Sequence, residues 1–503
     1  MSMRWKGAVI PNPPTVVGPV SGEGGSASGA WTLQTQMQYA GVNGWPKPIL
    51  PKQLWSWGYN NIGQLGLGNT TNYSSPMQVG ALTNWSSVSC GYAHTVSIKT
   101  DGTLWSWGYN GLGQLGLGNV TYYSSPKQVG ALTNWSSVSC GYVYTVSIKT
   151  DGTLWSWGQN NYGQLGLGNT TNYSSPKQVG ALTNWLSIAC GRYQTVSIKI
   201  DGTLWSWGNN NYGQLGLGNT TNYSSPKQVG ALTNWSSVAC GTYHTVSIKT
   251  DGTLWSWGQN NYGQLGLGNT TNYSSPMQVG ALTNWLSVSC GYVHTVSIKT
   301  DGTLWSWGRN AQGQLGLGNI TNYSSPKQVG ALTNWSSVSC GGNHTVSIKT
   351  DGTLWSWGYN YHGQLGLGNT TNYSSPKQVG LLTTWSSISC GYFHTVSIKT
   401  DGTLWSWGNN AQGQLGLGNI TYYSSPKQVG ALTNWLSVSC GYFHTVSIKT
   451  DGTLWSWGRN NSGQLGLGNT TNYSSPKQVG ALTSWTKLFK GSTTQSTLAM
   501  KSS

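Results

Sequence analysis

The pentapeptide Leu-Trp-Ser-Trp-Gly begins at Leu54, Leu104, Leu154, Leu204, Leu254, Leu304, Leu354, Leu404 and Leu454, always 50 residues apart. A fixed internal period of this length overrides the domain count that a chain of 503 residues would otherwise suggest. One supersecondary unit has been copied nine times, behind a leader of different composition. The chain therefore divides into a leader, residues 1–50, that serves as anchor and linker, and a repeat domain, residues 51–503.

Within the copy at residues 86–135, three segments alternate with period two: Ser86–Cys90, Thr95–Lys99 and Thr103–Trp107. Alternation of this kind marks half-buried strands, and Asp101-Gly102 marks a hairpin turn between the second and third. Pro126–Val129 is expected as a fourth, edge strand, where proline is tolerated. A lone repeat offers about ten apolar side chains at roughly 1.5–3 kcal/mol each against a conformational cost of roughly 1.5 kcal/mol per residue. It must stack on its neighbours. Tryptophan supplies the stacking surface, because 27 of the 30 occupy the positions of Trp55, Trp57 and Trp85.

The segments Val88–Ile98, Asp101–Asn110 and Gly113–Gly118 resemble successive parts of the regulator of chromosome condensation repeat, and the resemblance spans nearly all of the repeat domain. It implies an all-β fold, a β-propeller of four-stranded blades, usually seven. Nine copies either close one larger ring or form an open or split arrangement. The closed ring is expected, since closure leaves only short, protected edges.

Charge and carboxylate count exclude several activities. The net charge of +16 comes mostly from two lysines per repeat, at the Lys99 and Lys127 positions, and forms no basic tail. Apart from Glu23, every acid is an aspartate in the same Asp-Gly turn, from Asp101 to Asp451. General acid–base chemistry and hard-metal binding need convergent carboxylates, so no enzyme, catalytic residue, cofactor or metal is expected. The eight cysteines recur at one position and read as small buried residues. Gly113–Gly118 lacks the Lys-Ser/Thr of a phosphate loop and reads as turn chemistry.

The copies differ mainly at two turns. After Trp-Gly the variable members include Tyr59, Tyr109, Gln159, Tyr162, Arg309, Gln312, Tyr359, Tyr361, His362 and Arg459. After Cys-Gly they include Tyr92, His94, Tyr142, Tyr144, Arg192, Tyr193, Tyr243, His244, Tyr292, His294, His344, Tyr392, Phe393, His394, Tyr442, Phe443 and His444. Hairpin geometry puts both turns at one end of the blade, opposite the nearly constant Asp-Gly turns. These residues are the expected ligand-binding set on one rim, because exposed drift would also touch the constant turns.

The leader holds a proline-rich stretch, a Gly/Ser run expected to be a flexible linker, and residues 31–40, long enough for two helical turns. Ser26–Gln34 and Trp45-Pro46 resemble short segments of structural proteins of tailed phages of aquatic bacteria. That resemblance implies a virion-associated adhesin, tail fibre or appendage, joined to a virion structural protein through the leader and recognising a host surface glycan or protein. The repeat family implies instead a guanine-nucleotide exchange factor or a chromatin-binding protein. Nucleic acid and membrane insertion are not expected. With no signal-peptide core and no transmembrane segment, the location is the virion or, failing that, the cytoplasm.

Overall fold

The computed structural model describes residues 52–502 except 82, 241–242, 282, 291–293 and 491–495. The expectations for the leader therefore lie outside the described residues. Residues Gln53–Lys501 form one compact unit. Its first strands are β1 (Lys52–Gly58), β2 (Tyr73–Gln78), β3 (Trp85–Cys90), β4 (His94–Lys99), β5 (Leu104–Gly108) and β6 (Tyr123–Gln128), and the pattern then repeats to Ser502.

Strands β3 to β6 pair in chain order as one antiparallel four-stranded blade, and seven further blades follow the same order. The ninth is composite: β2 and β1 from the start of the domain join strands Ser496–Ser502 and Trp485–Lys490 from its end. The chain thus closes into a nine-bladed propeller, as expected.

The fourth strand begins earlier than its proline suggested. Gly108 pairs with Tyr123, whereas Ser106 pairs with Lys127, so three residues including Pro126 oppose one. This bulge on the outer edge strand accommodates a residue with no amide hydrogen. The first strand of each blade is innermost, where it meets its counterparts: the Cys140 amide donates to Ser89 Oγ at 3.0 Å, and the Tyr92 amide to the Tyr142 oxygen at 3.0 Å.

The hydrophobic core lies between blades. Val96, Ile98, Leu104 and Val129 of one blade pack with Trp135 and Trp157 of the next. Trp135 meets Trp157 edge to face, ring centroids 5.9 Å apart, a preferred aromatic geometry. The junction that closes the ring repeats this cluster with Trp57, Val446, Ile448, Leu454, Val479, Trp485 and Ala499.

The Gly-Gln-Leu-Gly-Leu-Gly segment clasps the next blade as well as turning the chain. Trp107 Nε1 donates to the Gln64 oxygen at 3.1 Å, and a Cβ on Gly66 would lie 2.8 Å from the same indole nitrogen. Gly66 also has φ +77, so a side chain is excluded twice. Ser106 Oγ donates to the Leu115 oxygen, and Asn110 Oδ1 accepts from the Leu115 amide, which ties this segment to its own blade.

Candidate binding face

The register brings the two variable turns together: His94 pairs with Gly108, and the Tyr109 amide donates to the Ala93 oxygen at 2.9 Å. At the opposite end, Asp101 Oδ1 accepts from the Thr103 amide at 2.9 Å and from Thr103 Oγ1 at 2.6 Å. These bonds hold the Asp101 carboxyl below its ordinary range despite a desolvation effect in the other direction. The same two bonds recur at all eight aspartates. Constancy at that end follows from this capping requirement.

The lysines are similarly committed. Lys149 Nζ lies 3.8 Å from the Trp155 ring centroid and 4.9 Å from that of Trp135, a cation–π arrangement repeated in most blades. Lys99 and Lys299 lie farther from their rings, 5.9 Å from Trp105 and Trp305, and face Asp101 and Asp301 at 3.5 and 3.6 Å.

Not every expected ligand residue reaches the face. His94, Tyr144, His294, His344, His394 and His444 are buried, and His244 is half-buried. His94 Nε2 is 3.2 Å from Thr145 Oγ1 of the next blade, and His294, His344 and His394 make the corresponding contacts at 3.3 Å. Tyr144 OH donates to the Gln194 oxygen at 2.6 Å. His94, Tyr144, His294, His344 and His394 thus join blades to one another, which corrects their expected role as ligand contacts, and burial removes His444 from the face as well. As the first strand residue, each points into the wall by the period of two. Gly91 lies under the His94 ring, where a Cβ would collide with the imidazole, and burial pushes the His94 pKa down to about 3.

The remaining residues form two arcs of aromatic contacts. In the first, Tyr92 and Tyr142 are 4.6 Å apart between centroids, Tyr142 and Tyr193 6.0 Å, and Tyr193 and Tyr162 5.1 Å. The Arg192 guanidinium covers Tyr142 at 4.9 Å and Tyr193 at 5.3 Å, and reaches Tyr243 OH at 3.5 Å. Tyr92 remains 55% exposed.

In the second arc, Tyr361 meets His362 at 5.2 Å, His362 meets Phe393 at 4.9 Å, and Phe393 meets Tyr392 at 4.3 Å. Tyr392 stacks on Tyr442 at 4.4 Å with a 17° interplanar angle, and Tyr442 meets Phe443 at 5.2 Å. Tyr361 is 70% exposed. Tyr359 lies behind this arc, 6.1 Å from Phe393, and Arg459 covers Phe443 at 6.0 Å.

Tyr59, Tyr109, Gln159, Arg309 and Gln312 are half-buried and belong to neither run of contacts, although Arg309 lies 5.7 Å from the Tyr262 ring. Tyr292 lies outside the described residues.

Three exposed tyrosines were missing from the expected set: Tyr262, which Arg309 faces, Tyr122 and Tyr422. Tyr122 packs on Tyr109 at 4.9 Å, and Tyr422 on His362 at 5.6 Å. At the same position Asn72 accepts the Asn60 amide at 2.7 Å through Oδ1, and the asparagines of six other copies do likewise. For Tyr122 and Tyr422 the signal was available in the sequence as Asn-to-Tyr exchanges in a nearly constant turn.

The fold and its face define a closed repeat propeller with a variable rim, and comparison with known proteins sharpens that class. The RCC1-like domain matches residues 51–236. The regulator of chromosome condensation (RCC1) repeat matches 251–298, 301–348, 351–398, 401–448 and 451–494, and a second description of that repeat matches five segments between 235 and 464. The chain belongs to the regulator of chromosome condensation repeat family. Human WBSCR16 has a similar fold, with a TM-score of 0.51 and 20% identity over 90% of this chain and 99% of that one. Yeast RCC1 (Prp20), solved bound to Kap60, matches with a TM-score of 0.47 and 21% identity over 69% of this chain and 88% of that one.

Proposed function

We propose that this chain is a non-catalytic, protein-binding propeller of the regulator of chromosome condensation type, whose partner docks on the face that carries the variable turns. Family membership is the observation that carries the reading. It implies a partner such as a GTPase undergoing nucleotide exchange, or a chromatin protein. The rim supports docking on that face, since exposed tyrosine and arginine give large contact area with directed polar groups. The commitment of all eight aspartates to Asp-Gly turns supports a non-catalytic role. Guanine-nucleotide release from a panel of small GTPases and capture of core histones by the full chain test the reading. Activity lost in an Arg192→Ala, Tyr142→Ala variant is expected. No release and no capture by an intact ring would reject it.

A second reading is an adhesin that recognises a host surface glycan or protein, carried on a virion through the leader. The neutral, aromatic composition of the second arc favours it. Binding of the full chain to intact bacterial cells, and its presence in purified particles, test it.

A further inference from the structure

The second arc is built at a cost in stability. Beside it Tyr422 stands where Asn72 and its equivalents accept the amide of a buried asparagine, and the Asn410 amide makes no such bond to the tyrosine. Instead the phenol ring lies on His362 of the preceding blade's clasp, and 45% of the residue faces solvent. The neighbouring Ile420 is 66% exposed, where most copies carry threonine. The same exchange occurs at Tyr122, beside the 58% exposed Val120, but only at Tyr422 does it adjoin a continuous track of rings, and a local rule broken beside such a track, with apolar surface left in water, marks a surface kept for contact rather than for folding.

Two of the three phenylalanines in the chain, Phe393 and Phe443, also lie in this sector. From Tyr361 to Phe443 the rings touch in sequence across three blades. The track carries no carboxylate and a single guanidinium, Arg459 on Phe443 at its end, and the aspartates and the Lys399-type lysines lie at the other end of their strands. On the same face the carboxamides of Gln412 and Asn472 are joined at 2.9 Å and remain accessible.

We propose that this track is a binding site for a neutral oligosaccharide, with the apolar faces of its pyranose rings laid on Phe393, Tyr392 and Tyr442 and its hydroxyls on the tyrosine oxygens and nearby carboxamides. Apolar walls with a few fixed polar groups are the usual composition of a small-ligand site. A nucleic acid stacks on such rings too, but draws its affinity from a run of cations along the phosphates, and beside these rings stands only Arg459, at one end. The first arc differs, because Arg192 lies across its rings. The inference deepens the adhesin reading and is independent of the nucleotide-exchange reading.

The test uses the full chain on an array of neutral hexose and N-acetylhexosamine oligosaccharides, with sulfated and sialylated members as controls, followed by titration of the tightest neutral binder. Binding to neutral members is expected, weakened at least tenfold by Phe393→Ala with Tyr442→Ala. Tyr422→Asn separates binding from folding: it restores the missing acceptor, so it raises Tm while lowering affinity. Absence of neutral binding, or binding unchanged in these variants, overturns the inference. Loss only with Tyr92→Ala and Tyr142→Ala also overturns it, by moving the site to the first arc, while the adhesin reading stands.

Discussion

Trp57 Nε1 donates to the main-chain oxygen of Gln464 at 2.9 Å, across 407 positions of sequence. The other eight junctions carry the same bond, from Trp107 to Gln64 through Trp457 to Gln414, at 2.9–3.1 Å. The junction between the chain's two ends is therefore built like those between consecutive copies.

Equivalence predicts equal cost. Trp57→Phe and Trp257→Phe each remove one buried donor from a main-chain oxygen and should each destabilise by about 1–2 kcal/mol in denaturant titrations. Deleting residues 485–503 is expected to do far more, because β1 loses its inner partner strand and Trp57 loses Trp485, 6.1 Å away. An exposed strand edge invites pairing with another chain. Light scattering should then show dimers or larger species, whereas a monomer of unchanged Tm would mean that closure contributes little.

Gly91 and His94 should couple. Gly91→Ala places a methyl group against the imidazole and the Gly141 oxygen, so a loss of roughly 1–3 kcal/mol is expected from overpacking. His94→Ala in the same chain clears part of that space. A double-mutant cycle should show the second change recovering part of the loss of the first.

Acid should unfold the ring earlier than its few carboxylates suggest. Burial lowers the pKa of His94, His344 and His394 to about 3, with repulsion from neighbouring histidines adding to the effect at the last two. His244, His294 and His444 are lowered to about 4. The unfolded chain takes up these protons near pH 6.5, before the folded one. Their contribution is thus complete above about pH 6.5 and is lost progressively as pH falls towards 3–4. A Tm flat above neutrality and falling steeply below about pH 6 is expected, and His394→Gln should flatten the fall, since Gln194 already fills that place in one blade.

The thiols should be inert in the native ring. Burial pushes the Cys90 thiol up to about 11 and the Cys390 thiol up to about 12, and Cys140 Sγ lies 3.5 Å from the Ser89 oxygen. A thiol reagent at pH 8 should modify the cysteines only after denaturant is added, because the thiolate is the reactive form. Rapid labelling of the native protein would place the sulfurs at an accessible surface.

Much of this architecture was legible in the sequence. Alternation from Ser86 to Cys90 and from Thr95 to Lys99 located the strands, and Asp101-Gly102 located the hairpin, because both are local properties of the backbone. Position 94 was misread. Its variation among His, Tyr and Gln looked like the variation of a binding loop, yet the His94 and Tyr144 side chains bond across the junction to the next blade and the Gln194 side chain is buried at the same place. The exchange of Asn for Tyr at 122 and 422 was overlooked, because its meaning depends on an amide twelve residues away at Asn110 and Asn410.

The sequence by itself determined the unit, the number of copies and the end of each blade that varies, since hydrophobic period, turn residues and copy number are written along the chain. Only the tertiary structure decided that the last two strands complete the first two. It also decided which variable residues reach solvent and where their rings meet. Those outcomes depend on contacts between blades, and a fold whose core lies between its repeats settles them only when the ring closes.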